Sequence, residues 1–211
     1  MIKILKNIDT TRYDVHIDFQ YSVEEVKNVL REDKLQTLIF STSSKFFIEN
    51  CEGKKNILES KLDGIAQRIL LKENRGGSQL YLSTKNSWIN VPSFLFGTKH
   101  SVGVGDIFNA VLMTTPFDIN SSLKLSSYVA AWYSTTLIHQ VFKSNVKNAE
   151  EQLNSINKLK GFRLSWEERP NYHIYIAGPD FPHEDTRLIE ELDNALKYHN
   201  FPPIDLYKKM D

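Results

Sequence analysis

The sequence predicts an α/β protein. Short apolar runs typical of buried strands alternate with stretches whose apolar residues recur at helical spacing. The composition agrees with a globular chain, since 41% of the 211 residues are hydrophobic and 25% are charged. This length allows one domain, or one domain and a small second one. Alternation of strands and helices predicts a mostly parallel sheet.

The order of elements follows from periodicity and turn residues. Ser22 to Glu32 has helical spacing and opens with a capping-box pair, Ser22 and Glu25. A short apolar strand is predicted at Leu35 to Phe40. The later predictions are helices at 53–67, 106–114 and 121–142, and strands at 68–72, 79–83 and 88–96, with a hairpin turn at Gly76-Gly77 that leads into the strand at 79–83.

The chain changes character near residue 165. Asn148 to Gly161 is polar and ends in glycine, which fits either a surface helix with a C-cap glycine or a linker. Beyond it, a strand at His173 to Ala177 and a helix at Asp185 to His199 make one βα unit. Such a unit is too small to bury a core by itself.

Composition also bears on partners and location. Lys+Arg and Asp+Glu both number 26, which gives no electrostatic case for a nucleic-acid or membrane-surface partner. Cys51 is the single cysteine, so neither an internal disulfide nor a cysteine-based zinc site is expected, and a cytoplasmic location is favoured. We expect no secretory signal and no membrane span, because no apolar run is long enough.

The sharpest chemical feature is SVGVGDIFNA at residues 101–110. A Gly-x-Gly turn before a helix lets the backbone approach a ligand, and the first helical amides lack intrahelical partners. Gly103, Val104 and Gly105 would thus form an anion hole for a phosphate or an oxyanion. Asp106 could accept a proton from an alcohol held there, or it could simply be the helix N-cap.

Residues 102–110 resemble the G-A-G-D-x-F signature of the ribokinase-like (PfkB) family of carbohydrate and nucleoside kinases. The resemblance implies that Asp106 is the catalytic base and that the amides of Gly103, Val104 and Gly105 hold the transferring phosphate. It also implies ATP as phosphoryl donor and Mg²⁺ bridging its phosphates. The match covers roughly residues 10–145 and corresponds to the second half of such a kinase.

Two further segments are similar to nucleotide-binding parts of that family. Leu70 to Tyr81 resembles the strand and glycine turn beside the nucleotide, with Lys72, Asn74 and Gly77 at the patterned positions. Tyr128 to Thr136 resembles the small-residue helix along the adenine pocket. In that helix Ala130 and Ala131 would allow a close approach, although ordinary helix packing explains small residues equally well.

Three parts of the sequence depart from the family pattern. His100-Ser101-Val102 replaces the usual Asp-Thr before the Gly-x-Gly, and Asn74 replaces a glycine of the upstream turn. The segment Ser41 to Lys45 carries no carboxylate where the family places an Asn-x-x-Glu element.

The segment YHIYIAGPDF at residues 172–181 resembles the opening strand and loop of nucleoside 2-deoxyribosyltransferases. By that resemblance Tyr175 would help to position a catalytic carboxylate, while the loop would close over a nucleoside. The loop residues are Gly178, Pro179, Asp180 and Phe181. A plain βα turn with Gly-Pro punctuation is the alternative.

These patterns predict a partial ribokinase-like three-layer α/β/α domain at residues 1–162, followed by a short Rossmann-like βα unit at 163–211. The predicted function is ATP-dependent phosphoryl transfer to a sugar or nucleoside hydroxyl. One alternative is a catalytically inert module that senses nucleotide or binds a partner. Another is part of a nucleoside deoxyribosyltransferase or hydrolase. An exposed edge of a truncated sheet would also predict a homo-oligomer.

Overall fold

A computed structural model describes residues 14–19, 35–176 and 187–204. The chain divides into two compact units, 1–163 and 164–211. The helix predicted at 22–32 lies outside the described residues. Within the described part of the chain, no helix is long and apolar enough to cross a membrane.

A five-stranded sheet forms the centre of the first unit, with its strands in sequence order. The first three strands are parallel, while the last two are antiparallel to their neighbours. The prediction of a mostly parallel sheet is therefore wrong for β4 and β5, because the turns after Lys72 and Leu82 are too short for a parallel crossover. The hairpin predicted at Gly76-Gly77 is confirmed by the antiparallel pair of β3 and β4. The strands are β1 (His16–Asp18), β2 (Leu35–Ser41), β3 (Ala66–Lys72), β4 (Ser78–Leu82) and β5 (Ser87–Val91).

Helices cover both faces of this sheet. They are α1 (Lys55–Leu62), α2 (Val104–Thr114), α3 (Ile119–Tyr133), α4 (His139–Val146) and α5 (Leu153–Lys158). Ile39, Leu70 and Leu80 are register neighbours on β2, β3 and β4, and they pack in one cluster with residues of α2 and α3. On the other face the Trp88 indole donates to Glu59 of α1 at 3.0 Å. The predicted α/β/α layering is confirmed.

Two predicted helices are shorter than expected. The helix at 53–67 spans only α1, since Gly64 turns the chain at φ +77° and Ala66 already begins β3. The helix at 121–142 is two helices, α3 and α4. The break follows from Ser134 and Thr135, whose hydroxyls donate to carbonyls three residues earlier and so compete with the helical ladder.

The segments after β5 also differ from expectation. The strand at 88–96 ends at Val91, because Pro92 has no amide hydrogen for the ladder. Asn148 to Gly161 contains α5, and Ile156 of that helix is buried, so this stretch is not a free linker. The C-cap of this helix is Leu159 and not Gly161. Gly161 instead packs closely against Pro92, since a Cβ at this position would lie 2.6 Å from Pro92 Cβ.

The second unit contains two short parallel strands, β6 (Ile174–Tyr175) and β7 (Pro203–Ile204), and helix α6 (Arg187–Tyr198). Arg169 is buried and its guanidinium lies over the rings of Trp166 and Phe201. It donates to the carbonyl oxygen of His199 at 3.2 Å. This arginine ties the start of the unit to the turn after α6.

Candidate functional site

The candidate site lies where the parallel strands end. Asp18, Ser41 and Lys72 are the last residues of β1, β2 and β3. Since parallel strands end at one edge of a sheet, these side chains share that edge, where open α/β sheets bind ligands. The start of α2 is at the same place: Cβ on Gly105 would lie 3.4 Å from the Lys72 Nζ.

The glycine bend has the conformation that the sequence predicts. Gly103 is the N-cap of α2 at φ +76°, in the left-handed region that favours glycine. A Cβ there would also lie 3.0 Å from the Tyr133 hydroxyl. The backbone angle therefore favours glycine, and a larger residue would also displace the Tyr133 hydroxyl.

The amides that follow this bend are open. The amide of Val104 makes one long hydrogen bond, 3.4 Å, to the Ser101 carbonyl oxygen. For the amides of Gly105 and Asp106 there is no hydrogen-bond partner among the described residues. Because Gly103 offers no capping side chain, these amides can donate to a bound anion.

Asp106 lies in the first turn of α2 and is exposed. The alternative that Asp106 is the N-cap is wrong, because Gly103 occupies that position and no side chain caps the helix. Its carboxylate is thus free to face a ligand that approaches the glycine bend.

A polar cluster beside the bend was not predicted as a unit. The Lys72 ammonium contacts Asp18 Oδ2 at 2.6 Å, and the Asn109 amide donates to the same oxygen at 2.8 Å. Asn109 is buried, and its Oδ1 has no partner among the described residues. Sequence reasoning identified Lys72 by resemblance only. Asp18 is 91 residues from Asn109, so no local pattern could have linked them.

His16 lies on the same strand as Asp18. Burial lowers the pKa of its imidazole, and Arg68 lowers it further, against the opposite effect of Asp14. The ring is therefore predominantly neutral at pH 7. Asp18 forms its ion pair with Lys72.

The loop before the bend is attached to the end of α3. His100 Nε2 lies 2.9 Å from the Tyr133 carbonyl oxygen and 3.0 Å from that of Thr136, so this nitrogen carries a proton and donates to both. The backbone amide of Lys99 donates to the Ser134 carbonyl oxygen at 2.8 Å. The histidine that departs from the family pattern thus anchors the loop.

The turn between β3 and β4 carries two further residues that were predicted to bind nucleotide, Asn74 and Gly77. Asn74 is exposed at φ +55°, a conformation that asparagine tolerates, which explains how it replaces a glycine. Gly77 is at φ +102°, and Cβ there would lie 2.4 Å from the Val91 carbonyl oxygen. Between these turn positions and Lys72, buried Glu73 accepts from the Gln79 amide at 2.7 Å. This hydrogen bond connects the start of the turn, next to Lys72, to β4.

Ala130 and Ala131 are buried in two different apolar clusters. Ala130 packs with the sheet, and Ala131 packs with residues such as Phe94 and Leu125. Close helix packing accounts for both side chains, so their contact with a nucleotide stays a prediction.

In the second unit Tyr175 is exposed on β6. The predicted loop residues Gly178, Pro179, Asp180 and Phe181 lie outside the described residues. The deoxyribosyltransferase resemblance stays a prediction.

The donor set of the site fits phosphate rather than a protein-held Mg²⁺. Among the described residues no group of three His, Cys, Asp or Glu side chains could hold a metal ion. The loop after β2 offers hydroxyl groups at Ser41 to Ser44 and no carboxylate, and the Asp18 carboxylate is already engaged by Lys72.

Solved structures share this fold. The chain resembles a ribokinase from Thermotoga maritima, with a TM-score of 0.54, 18% identity and coverage of 75% of this chain and 52% of that one. For the ribokinase of Arabidopsis thaliana, complexed with ribose and ATP, the TM-score is 0.54 and the identity 13%, with coverage of 75% of this chain and 52% of that one. For a candidate ribokinase from Agrobacterium tumefaciens the TM-score is 0.59 and the identity 15%, with coverage of 75% of this chain and 53% of that one.

No protein-family model and no curated protein matches the sequence. The chain spans about half the length of the ribokinases that it resembles. At these identities the likeness shows the fold: the chain has a partial ribokinase-like α/β fold.

Proposed function

We propose that the chain belongs to the PfkB-type kinases and takes part in ATP-dependent phosphoryl transfer to a sugar or nucleoside hydroxyl. The observation that carries this proposal is the uncapped start of α2, where open amides lie beside the Lys72 ammonium and an exposed carboxylate. The Arabidopsis neighbour binds ribose and ATP, which supports the same substrate class here.

In the proposed reaction the acceptor hydroxyl oxygen attacks the γ-phosphorus of ATP. Its proton passes to the Asp106 carboxylate, the bond between the γ-phosphorus and the bridging oxygen breaks, and ADP leaves. The amides of Gly103, Val104 and Gly105, with the Lys72 ammonium, would stabilise the charge on the transferring group. Mg²⁺ would arrive as the ATP complex and neutralise phosphate charge.

A second function is favoured by the loop after β2. Because Ser41 to Lys45 contains no carboxylate, this loop lacks the metal-placing side chain that the kinase resemblance implies, whereas the open amides of α2 could still bind phosphate. A module that binds nucleotide without turnover is therefore the competing proposal.

Asp106→Asn separates the two functions. For the kinase, phosphoryl transfer from MgATP to ribose or a nucleoside falls at least about 100-fold, because general-base catalysis contributes that much. Binding of MgATP, measured by calorimetry, changes little. The matched control is Asp63→Asn, another exposed aspartate, next to α1, which should leave transfer intact.

Each result decides between the proposals. MgATP binding without transfer in the wild-type chain would support the sensing module. Transfer that survives Asp106→Asn would remove Asp106 from the mechanism, and absence of any MgATP binding would overturn both functions.

A further inference from the structure

We infer that Asp18 is a positioning residue that, together with Asn109, fixes the Lys72 ammonium at the start of α2 as a phosphate-binding group. This inference rests on the proposed function, because it takes a phosphate group as the ligand. No motif in the sequence points to Asp18 or assigns a role to Asn109.

The contacts define a single arrangement for the lysine. Asp18 Oδ2 lies 2.6 Å from Lys72 Nζ, and only 19% of the lysine side chain is exposed. Lysine otherwise has many rotamers, so this contact selects the one in which Nζ lies beside Gly105. A preorganised cation binds phosphate without a further loss of side-chain freedom.

The carboxylate also offsets an unfavourable charge. The start of a helix carries a partial positive charge, so an ammonium beside it is repelled when no anion is bound. Asp18 compensates for that repulsion in the free protein. In kinases of other folds an ion pair likewise holds a phosphate-binding lysine in place.

Asn109 fixes the carboxylate in turn. It lies on α2, one turn after Gly105, and its amide donates to the same Asp18 oxygen at 2.8 Å. Its Oδ1 is buried and has no partner among the described residues, which leaves an acceptor at this cluster that a ligand donor could satisfy. The three residues thus connect β1, β3 and α2.

The test is a double-mutant cycle on ligand binding by the full chain. MgATP and inorganic tripolyphosphate are titrated by calorimetry into wild type, Asp18→Ala, Lys72→Met and the double variant. We expect about a tenfold loss of affinity in each single variant and no further loss in the double variant, because Asp18 acts through Lys72.

A conservative variant separates positioning from simple folding effects. Asp18→Asn keeps an oxygen that can accept from Lys72, so it should recover about half of the lost binding free energy, or roughly threefold in affinity. A purely structural role would lower the melting temperature of Asp18→Ala without changing the affinity of the folded protein. The matched control is Glu52→Ala, which removes the exposed Glu52–Lys54 pair.

The outcomes distinguish this inference from the proposed function. Affinity unchanged or increased in Asp18→Ala, or additive losses in the double variant, would overturn the positioning role while leaving the kinase proposal intact. Wild-type binding with the expected cycle but without transfer would support the positioning role and reject the kinase. Failure of the wild type to bind either probe would overturn both.

Discussion

The two consecutive helices α2 and α3 begin in opposite ways. Asp118 caps α3, and its Oδ1 accepts from the amides of Asn120 at 3.0 Å and Ser121 at 3.2 Å. Gly103 is the N-cap of α2 but has no side chain to accept from the first amides of the helix, so these donors stay open. A closed helix start stabilises the fold, whereas an open one next to a lysine can bind a ligand.

The largest effect should come from filling the bend at the open start. Gly103→Ala combines a left-handed φ with contact against Tyr133, and we expect about 1–3 kcal/mol less unfolding free energy and at least about tenfold weaker MgATP binding. Denaturant unfolding and calorimetry measure both.

Gly64→Ala is the matched control, because Gly64 has φ +77° but nothing within 4 Å of its Cβ position. It should lose stability from backbone strain alone and keep its affinity. Equal binding losses in the two variants would contradict a local role for the bend.

An intermediate effect is expected where the loop joins α3. His100→Ala removes two donations to carbonyl oxygens, and we expect about 1–2 kcal/mol less unfolding free energy and a few-fold weaker MgATP binding. His139→Ala, at an exposed histidine in α4, provides the comparison. If His100→Ala matches His139→Ala, the loop does not depend on this anchor.

The smallest effect should come from the closed start. Asp118→Ala should lower the melting temperature at pH 7 by about 2–4 °C and leave MgATP binding unchanged. Hydrogen bonds from the Ser121 hydroxyl, and then from the Ser121 amide, lower the pKa of Asp118 below its usual 3.8.

The sign of the pH dependence follows from that shift. The cap contributes its full stability above the unfolded pKa near 3.8 and loses it as the pH falls through the lower folded value. Melting curves of wild type and Asp118→Ala should therefore converge in acid, whereas Asp106→Asn, which removes no capping bond, should match wild type at pH 7. A constant difference at all pH values would contradict the cap.

Much of the site's local geometry could be predicted. Two glycines spaced around Val104 before an amphipathic stretch indicate a bend and a helix start, and the structure has both at that place. The α/β layering followed in the same way from periodicity. Asn74 was a departure in sequence, and its positive φ in the structure removes the conflict.

Other predictions failed because apolar periodicity alone does not show where an element ends or in which direction a strand pairs. The helix expected at 121–142 ends at Tyr133. There the Ser134 and Thr135 hydroxyls donate to helical carbonyl oxygens, and His100, more than 30 residues earlier, donates to the Tyr133 carbonyl oxygen. The mixed sheet depends on two short turns, which pair β4 with β3 and β5 with β4 in antiparallel fashion.

The alternation of strands and helices, the glycine bend at Gly103 and the place of Asp106 in the first helical turn could be read from the amino-acid sequence, because these depend on spacing and on local backbone preferences. The meeting of Asp18, Lys72 and Asn109 could not, because it depends on how the strands and the helix pack. Their contact requires two parallel strands to end at one edge and a helix to start there, which is a property of the packed sheet and not of any short segment.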